Sequence, residues 1–251
     1  MDEFDFSRLN EPAPEELRPN RSGPGLLQMG VARHKSGDLK SAAAVYEEVL
    51  KQEPDNAEAL HLLGLVAYQA GQPEPAIDFM TRSLALKSDD AAVYNNRGLA
   101  RAAAHQFEAA LEDYDRAIAM KPALPEPHQH RAAALRAVGR FEEAVTSLDR
   151  ALELRPLSAD ILSDRGAALK DLGRREEALA NYDQALVIDP RNIAASYNRG
   201  GALRELGRVS EAVESYNQVL EQNPDLAIAH HNRALCRLQL GDYAGGFEEY
   251  E

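Results

Sequence analysis

The chain contains a single cysteine, Cys236, and no tryptophan. One thiol cannot form an internal disulfide and leaves no cysteine set for a structural zinc. It follows Ala234 on an apolar helical stretch, the setting of buried packing rather than of a nucleophile. Positive charge is also scarce: 28 Lys and Arg against 41 Asp and Glu give a formal charge of −13. That balance is wrong for a general nucleic-acid surface. No apolar run approaches the length of a bilayer crossing, which excludes direct membrane insertion through a helix. The opening Met1-Asp2-Glu3-Phe4-Asp5-Phe6 sets acids where a secretory signal carries bases, so a cytoplasmic location is expected.

Chemistry is equally thin. Of the seven histidines, His128 and His130 are two apart and His230 and His231 adjacent, with no HExxH spacing beside them. Gly23 and Gly25 follow no strand and open no GxGxxG loop, so nucleotide binding has no support. Catalysis requires a pocket that holds acids and bases in one geometry, and nothing here announces one. The expectation is a non-enzymatic chain with no cofactor and no metal.

What the chain does have is a period. Gly30, Gly64, Gly98, Ala132, Gly166, Gly200 and Ala234 recur every 34 residues without an insertion. Such spacing marks stacked helical hairpins, each burying itself against its neighbours. Counting the small residue as position eight, the repeats begin at Gly23, Ala57, Ala91, Pro125, Ala159, Ile193 and Ala227. Gly37, Gly71, Gly139, Gly173, Gly207 and Gly241 stand where the first helix should stop, as a helix C-terminus prefers. His105 takes that place in the third repeat, so its turn must form without glycine.

The second helix carries Ala42, Ala76, Ala110, Ala144, Ala178 and Ala212, where a methyl group would allow close crossing against position eight. Four residues later come Tyr46, Met80, Tyr114, Leu148, Tyr182, Tyr216 and Tyr250, expected to fill the gap to the next repeat. Pro54, Pro122, Pro156, Pro190 and Pro224 close five repeats, with Ser88 in the remaining one. Together these positions closely resemble the tetratricopeptide repeat family. The resemblance implies an all-α, right-handed superhelical solenoid of stacked antiparallel helix pairs, with the first helices lining its concave face. Residues 1–22, acidic and proline-rich, read as a flexible leader, in which Phe4, Phe6 and Leu9 could act as a short docking motif. Residues 23–251 read as the repeat domain, with six complete repeats and a truncated seventh.

By the same resemblance, positions two, five, six, nine, twelve and thirteen face the groove. Position six holds Asn96, Asn198 and Asn232, and an asparagine can pair with a peptide backbone whatever its sequence. This row is similar to the asparagine ladder of the O-linked N-acetylglucosamine transferases. In the first three repeats Leu27, Val31, Leu62, Leu65, Tyr68 and Leu99 make the face apolar, suited to an amphipathic helix or apolar peptide. Leu62, Leu65, Tyr68 and Leu99 are the candidate anchors. Further along, Arg136, Lys170 and Arg204 share position twelve among Glu126, Asp160, Asp164, Asp171 and Glu205, a mixed surface and no phosphate track. The carboxylate clamp of heat-shock chaperone co-factors needs lysine, arginine and asparagine at positions two and nine, and those are missing.

Arg97, Arg131, Arg165, Arg199 and Arg233 form another row at position seven. Asp115, Asp149, Asp183 and Asn217 follow the first four by 18 residues, which predicts structural pairs within each repeat. The final stretch from Gly241 to Glu251 looks like the join between repeats and a glycosyltransferase domain in bacterial proteins. Three functions are therefore open. The first is a scaffold that binds a partner peptide or helix in the groove. The second is the substrate-recruiting region of a larger bacterial glycosyltransferase. The third is a scaffold that self-assembles as a homo-oligomer through its last repeat.

Overall fold

Each 34-residue period folds as two helices joined by a tight turn. The computed structural model describes residues 23–250. The leader at 1–22, with Phe4, Phe6 and Leu9, lies outside the described residues. Among those described there are fourteen helices and no strand. The chain divides into two compact units, one up to Pro122 and one from Ala123. The N-terminal unit comprises α1 (Gly23–Lys35), α2 (Leu39–Gln52), α3 (Ala57–Gln69), α4 (Pro73–Leu86), α5 (Ala91–Ala103) and α6 (Phe107–Met120). The C-terminal unit comprises α7 (Pro125–Ala137), α8 (Phe141–Leu154), α9 (Ala159–Asp171), α10 (Arg175–Ile188), α11 (Ile193–Glu205), α12 (Val209–Gln222), α13 (Ala227–Gln239) and α14 (Tyr243–Tyr250). Within each unit, odd-numbered first helices pair with the even-numbered second helices that follow them, and each pair stacks on the next.

Local sequence explains the punctuation. Asp38, Asn56, Asp90, Ser158 and Asn192 accept a backbone N–H in the first turn of the helix they precede. At the other end, the residue after each turn glycine donates to a carbonyl five residues back, as Gln72 does to Ala67 at 2.9 Å. This closure requires a left-handed residue. Six glycines supply it, and His105 adopts φ 58° in the third repeat. A side chain there is costly in the left-handed region, so this turn is the least favourable of the set.

The core adds one contact to the sequence expectation. The alanines of the second helices are fully buried, as are Tyr46, Met80, Tyr114, Leu148, Tyr182 and Tyr216. These large residues share core clusters with the following repeat, Tyr46 with Leu60 and Leu63, Met80 with Val93, and Tyr216 with Cys236, and they do one thing more. They lie on position eight of their own repeat: a Cβ at Gly98 would sit 2.5 Å from Cε1 of Tyr114, and one at Gly166 2.6 Å from Cε1 of Tyr182. The glycine is therefore a seat for a ring, and not only a crossing point for an alanine. Where position eight is Ala132, the second helix carries Leu148 in place of the ring. The last repeat joins Ala234 to a tyrosine, and Tyr250 stays 55% exposed, beside His231 with ring centroids 5.2 Å apart and planes tilted by 40°.

Candidate functional site

The arginines at position seven are structural, but their partners differ from the expected ones. Arg97 makes a two-pronged contact with Asp113, Nη2 to Oδ1 at 2.7 Å and Nε to Oδ2 at 2.9 Å, and also donates to Thr81. Arg165 donates to Asn181 ahead of it and Asp149 behind it, and Arg199 to Ser215 and Asp183. Arg233 reaches Asn217 behind and Glu249 ahead, and Arg131 donates to Ser147. The spacing is 16 residues in either direction, not 18 forward. Asp149 and Asp183 thus serve the arginine of the following repeat. Each bridged arginine ties the second helix of its own repeat to the second helix before it, which removes this row from the list of ligand-binding groups.

The first helices contribute a different network. A side chain at position five or twelve bonds the residue 35 later, on the next first helix. His61 meets Asn96 at 3.0 Å, Gln129 donates to Asp164 at 2.6 Å, and Asn232 donates to the Tyr197 hydroxyl at 2.8 Å. His34 bonds Gln69, and Arg136 bonds Asp171. Burial pushes the His61 imidazole down from its ordinary range, with Asp90 opposing. Burial likewise raises the Asp164 carboxyl, against the hydrogen bond from Gln129.

These bonds sort the candidate asparagines. Asn96 is held by His61 and approached by Asn95. Asn232 is bonded to Tyr197 and accepts from Arg204 at 3.2 Å. Asn198 is half-buried and has no side-chain partner among the described residues. Its register mate is Ser163, whose short, buried side chain stands where His61, Gln129 and Tyr197 stand in the closed rungs. The three are therefore not equivalent, although the sequence presents them as one row.

The apolar candidates fall together in the N-terminal unit. Leu62 and Tyr68, with Leu27 and Val31, pack on the core cluster around Leu60, Leu63 and Phe79. Leu65 joins Tyr94 against Met80, Leu84 and Val93, and Leu99 is also half-buried. Beside Leu62, a cleft of about 220 Å³ is lined by Glu58, His61, Lys87, Asp90 and Val93, among others. Among the described residues no group of three or more His, Cys, Asp or Glu could hold a metal ion, and no helix is long and apolar enough to cross a membrane.

Tetratricopeptide repeat models match residues 33–97, 163–227 and 197–251, and a TPR repeat model matches residues 133–173. The chain belongs to the tetratricopeptide repeat family. Solved TPR proteins agree in fold. A tetratricopeptide repeat protein from Parabacteroides merdae is 19% identical, with a TM-score of 0.75 over 90% of each chain. The thermophilic TPR protein TTC0263 of Thermus thermophilus is 25% identical, with a TM-score of 0.59 over 72% of this chain and 99% of its own. YrrB, described as a TPR protein with an unusual peptide-binding site, is 20% identical, with a TM-score of 0.58 over 75% of this chain and 97% of its own. No curated protein matches the sequence.

Proposed function

We propose that this TPR protein is a non-catalytic scaffold that binds a polypeptide partner along its first-helix face. The observation that carries this reading is the row of half-buried apolar side chains Leu62, Leu65, Tyr68 and Leu99 in the N-terminal unit. Each retains surface that a partner's apolar residues could cover, and covering it is favourable by about 25 cal/mol per Å². Asn96, Asn198 and Asn232 are the polar contacts in this reading, with Asn96 and Asn232 exchanging an internal bond for one to the ligand. YrrB has the same fold and a peptide-binding site, so the architecture can hold a peptide.

The test is a double substitution, Leu65→Ala with Tyr68→Ala. Peptides selected on the wild type from a random phage-displayed library should bind the variant about tenfold or more weakly, as truncation of two anchors implies, while its helical circular dichroism is unchanged. Unchanged affinity would reject this location. Self-assembly is a second reading, supported by Tyr243, Phe247 and Tyr250 on α14, each more than half exposed. Light scattering across a concentration series would reveal it as a rising mass. The glycosyltransferase reading draws on the likeness of the Asn96, Asn198 and Asn232 row and of the stretch Gly241–Glu251.

A further inference from the structure

The first helix of the fifth repeat, α9, carries Asp160, Asp164 and Asp171, where no other first helix has more than one acid. Intervals of four and seven place the three on one helical face. Position six is acidic in no other repeat. Between Asp164 and Asp171 the same face carries Ala167, where the first three repeats have Val31, Leu65 and Leu99. A methyl group at that place leaves room between the two carboxylates.

Two of these carboxylates have no cation bonded to them. Arg136 meets Asp171 at 2.8 Å, but Asp164 accepts from Gln129 at 2.6 Å and Asp160 from Asn192 at 2.9 Å, both neutral amides. The bonds to Asp164 and Asp171 all end on Oδ2, so each carboxylate keeps Oδ1 for another donor. Burial and the Asp160 charge hold the Asp164 carboxyl above its ordinary range, against the Gln129 bond and Arg136. Behind this face Tyr182 is wholly buried, its ring on Gly166. Its hydroxyl has no hydrogen-bond partner among the described residues, although a buried phenol usually finds one. In the first repeat the corresponding Tyr46 hydroxyl meets His34 at 3.5 Å. The charges of Arg136, Asp171, Glu205 and Asp164 all act on the Tyr182 phenol, so its hydroxyl points toward the acidic face.

We infer that Asp164, Asp171 and the Tyr182 hydroxyl form a seat for one primary ammonium group of the partner polypeptide, a lysine side chain or a free N-terminus. An ammonium is a compact positive charge with three N–H donors. The open acceptors are Asp164 Oδ1, Asp171 Oδ1 and the Tyr182 hydroxyl oxygen. The incoming charge also answers the carboxylates that Arg136 leaves without a cation. A guanidinium suits the place less well, because its planar fork is wide and Arg136 already occupies one side of Asp171. The Arg136 side chain, 31% exposed, is the part free to give way and admit the group to the buried hydroxyl. The inference rests on the peptide-binding reading above and gives it a charged anchor in the C-terminal unit.

The probes are two bead-displayed libraries of random peptides, one N-terminally acetylated with a lysine fixed at its centre, the other free at its N-terminus and without lysine. Bound peptides are resynthesised and their Kd measured by calorimetry on the full chain. In at least one library, binding should weaken about tenfold on Asp164→Asn and on Asp171→Asn, as loss of a charge-assisted hydrogen bond implies. Tyr182→Phe should weaken the same peptides about threefold without lowering the melting temperature, because no internal bond uses that hydroxyl. This separates recognition from folding. Acetylating the peptide's amine should reproduce the loss, and Glu214→Gln, at an exposed acid of α12, should change nothing. Peptides indifferent to the three variants and to acetylation would overturn the seat, and arginine serving as well as lysine would overturn the choice of an ammonium. If the seat falls while Leu65→Ala with Tyr68→Ala still weakens the phage-selected peptides, the apolar face stands alone. If no peptide from any library binds, both readings fall.

Discussion

The N-terminal and C-terminal units are built on one repeat, yet they spend its variable positions differently. At position nine the first carries Val31, Leu65 and Leu99, and the second opens with Ala133, Ala167 and Gly201. At position 23 the first has Val45, Phe79 and the buried carboxylate Asp113, where the second has Ser147, Asn181, Ser215 and, in its last repeat, Glu249. The shared part is the seat of a large residue on a position-eight glycine, found at Gly30, Gly64 and Gly98 in the first unit and at Gly166 and Gly200 in the second. Packing therefore fixes the hairpin in both units, and the difference between them falls one residue further along the same helix.

The sharpest way to break this comparison is to remove a bridging arginine from each unit. Asp113 has 2% of its side chain exposed and depends on Arg97 and Arg101. Arg97→Ala should cost on the order of 2–4 kcal/mol, because a buried carboxylate loses its two-pronged partner. Arg199→Ala should cost about 0.5–1.5 kcal/mol, since Asp183 is half exposed and the Ser215 hydroxyl still bonds the Glu211 carbonyl. Urea unfolding of the two variants measures the difference, and equal losses would mean the buried carboxylate confers nothing special.

A smaller effect tests the ring seat. Gly98→Ala should destabilise by about 1–3 kcal/mol, through overpacking against Tyr114. Adding Tyr114→Leu should recover part of that loss, because Ala132 and Leu148 already form this combination in the other unit. A double-mutant cycle with no coupling between the two sites would contradict the assignment.

The smallest expected effect is on acidification. Burial holds the folded His61 pKa below its unfolded value of about 6.5, so the unfolded chain takes up the proton more readily. Its contribution is complete above that value and is lost as the pH falls through the folded pKa. In the C-terminal unit His130 behaves alike, but His230 is raised by the Pro224 carbonyl and Glu249, so its contribution is present at low pH and lost as the pH rises. Hydrogen exchange between pH 7.5 and 5.5 should show residues 23–122 loosening more than 123–250, and His61→Gln should remove that difference.

Much of this was legible in the sequence. The period, the helix stops and the closing prolines are local signals, and each records a backbone requirement that one residue type meets. Lateral offsets between helices leave no such trace. Asp149 stands 18 residues after Arg131 and 16 before Arg165, and only the packing of second helix on second helix selects the latter. The tyrosine on its glycine was missed for the same reason, although the pairing of Ala132 with Leu148 hinted at it. Asn198 resembles Asn96 and Asn232 in sequence, and differs because a serine stands 35 residues before it.

The shared arginine joints have a bearing on how such a chain can change length. Half of each joint comes from one repeat and half from its neighbour, so no repeat owns a joint outright. Excision of one whole period, residues 159–192, would bring Asp149 to the place that Asp183 holds before Arg199. The same carboxylate would meet the same guanidinium, and duplication would work by the same rule in reverse. Such a chain can grow or shrink by copying while the arginine joint closes as before, leaving the other first-helix residues free to diverge.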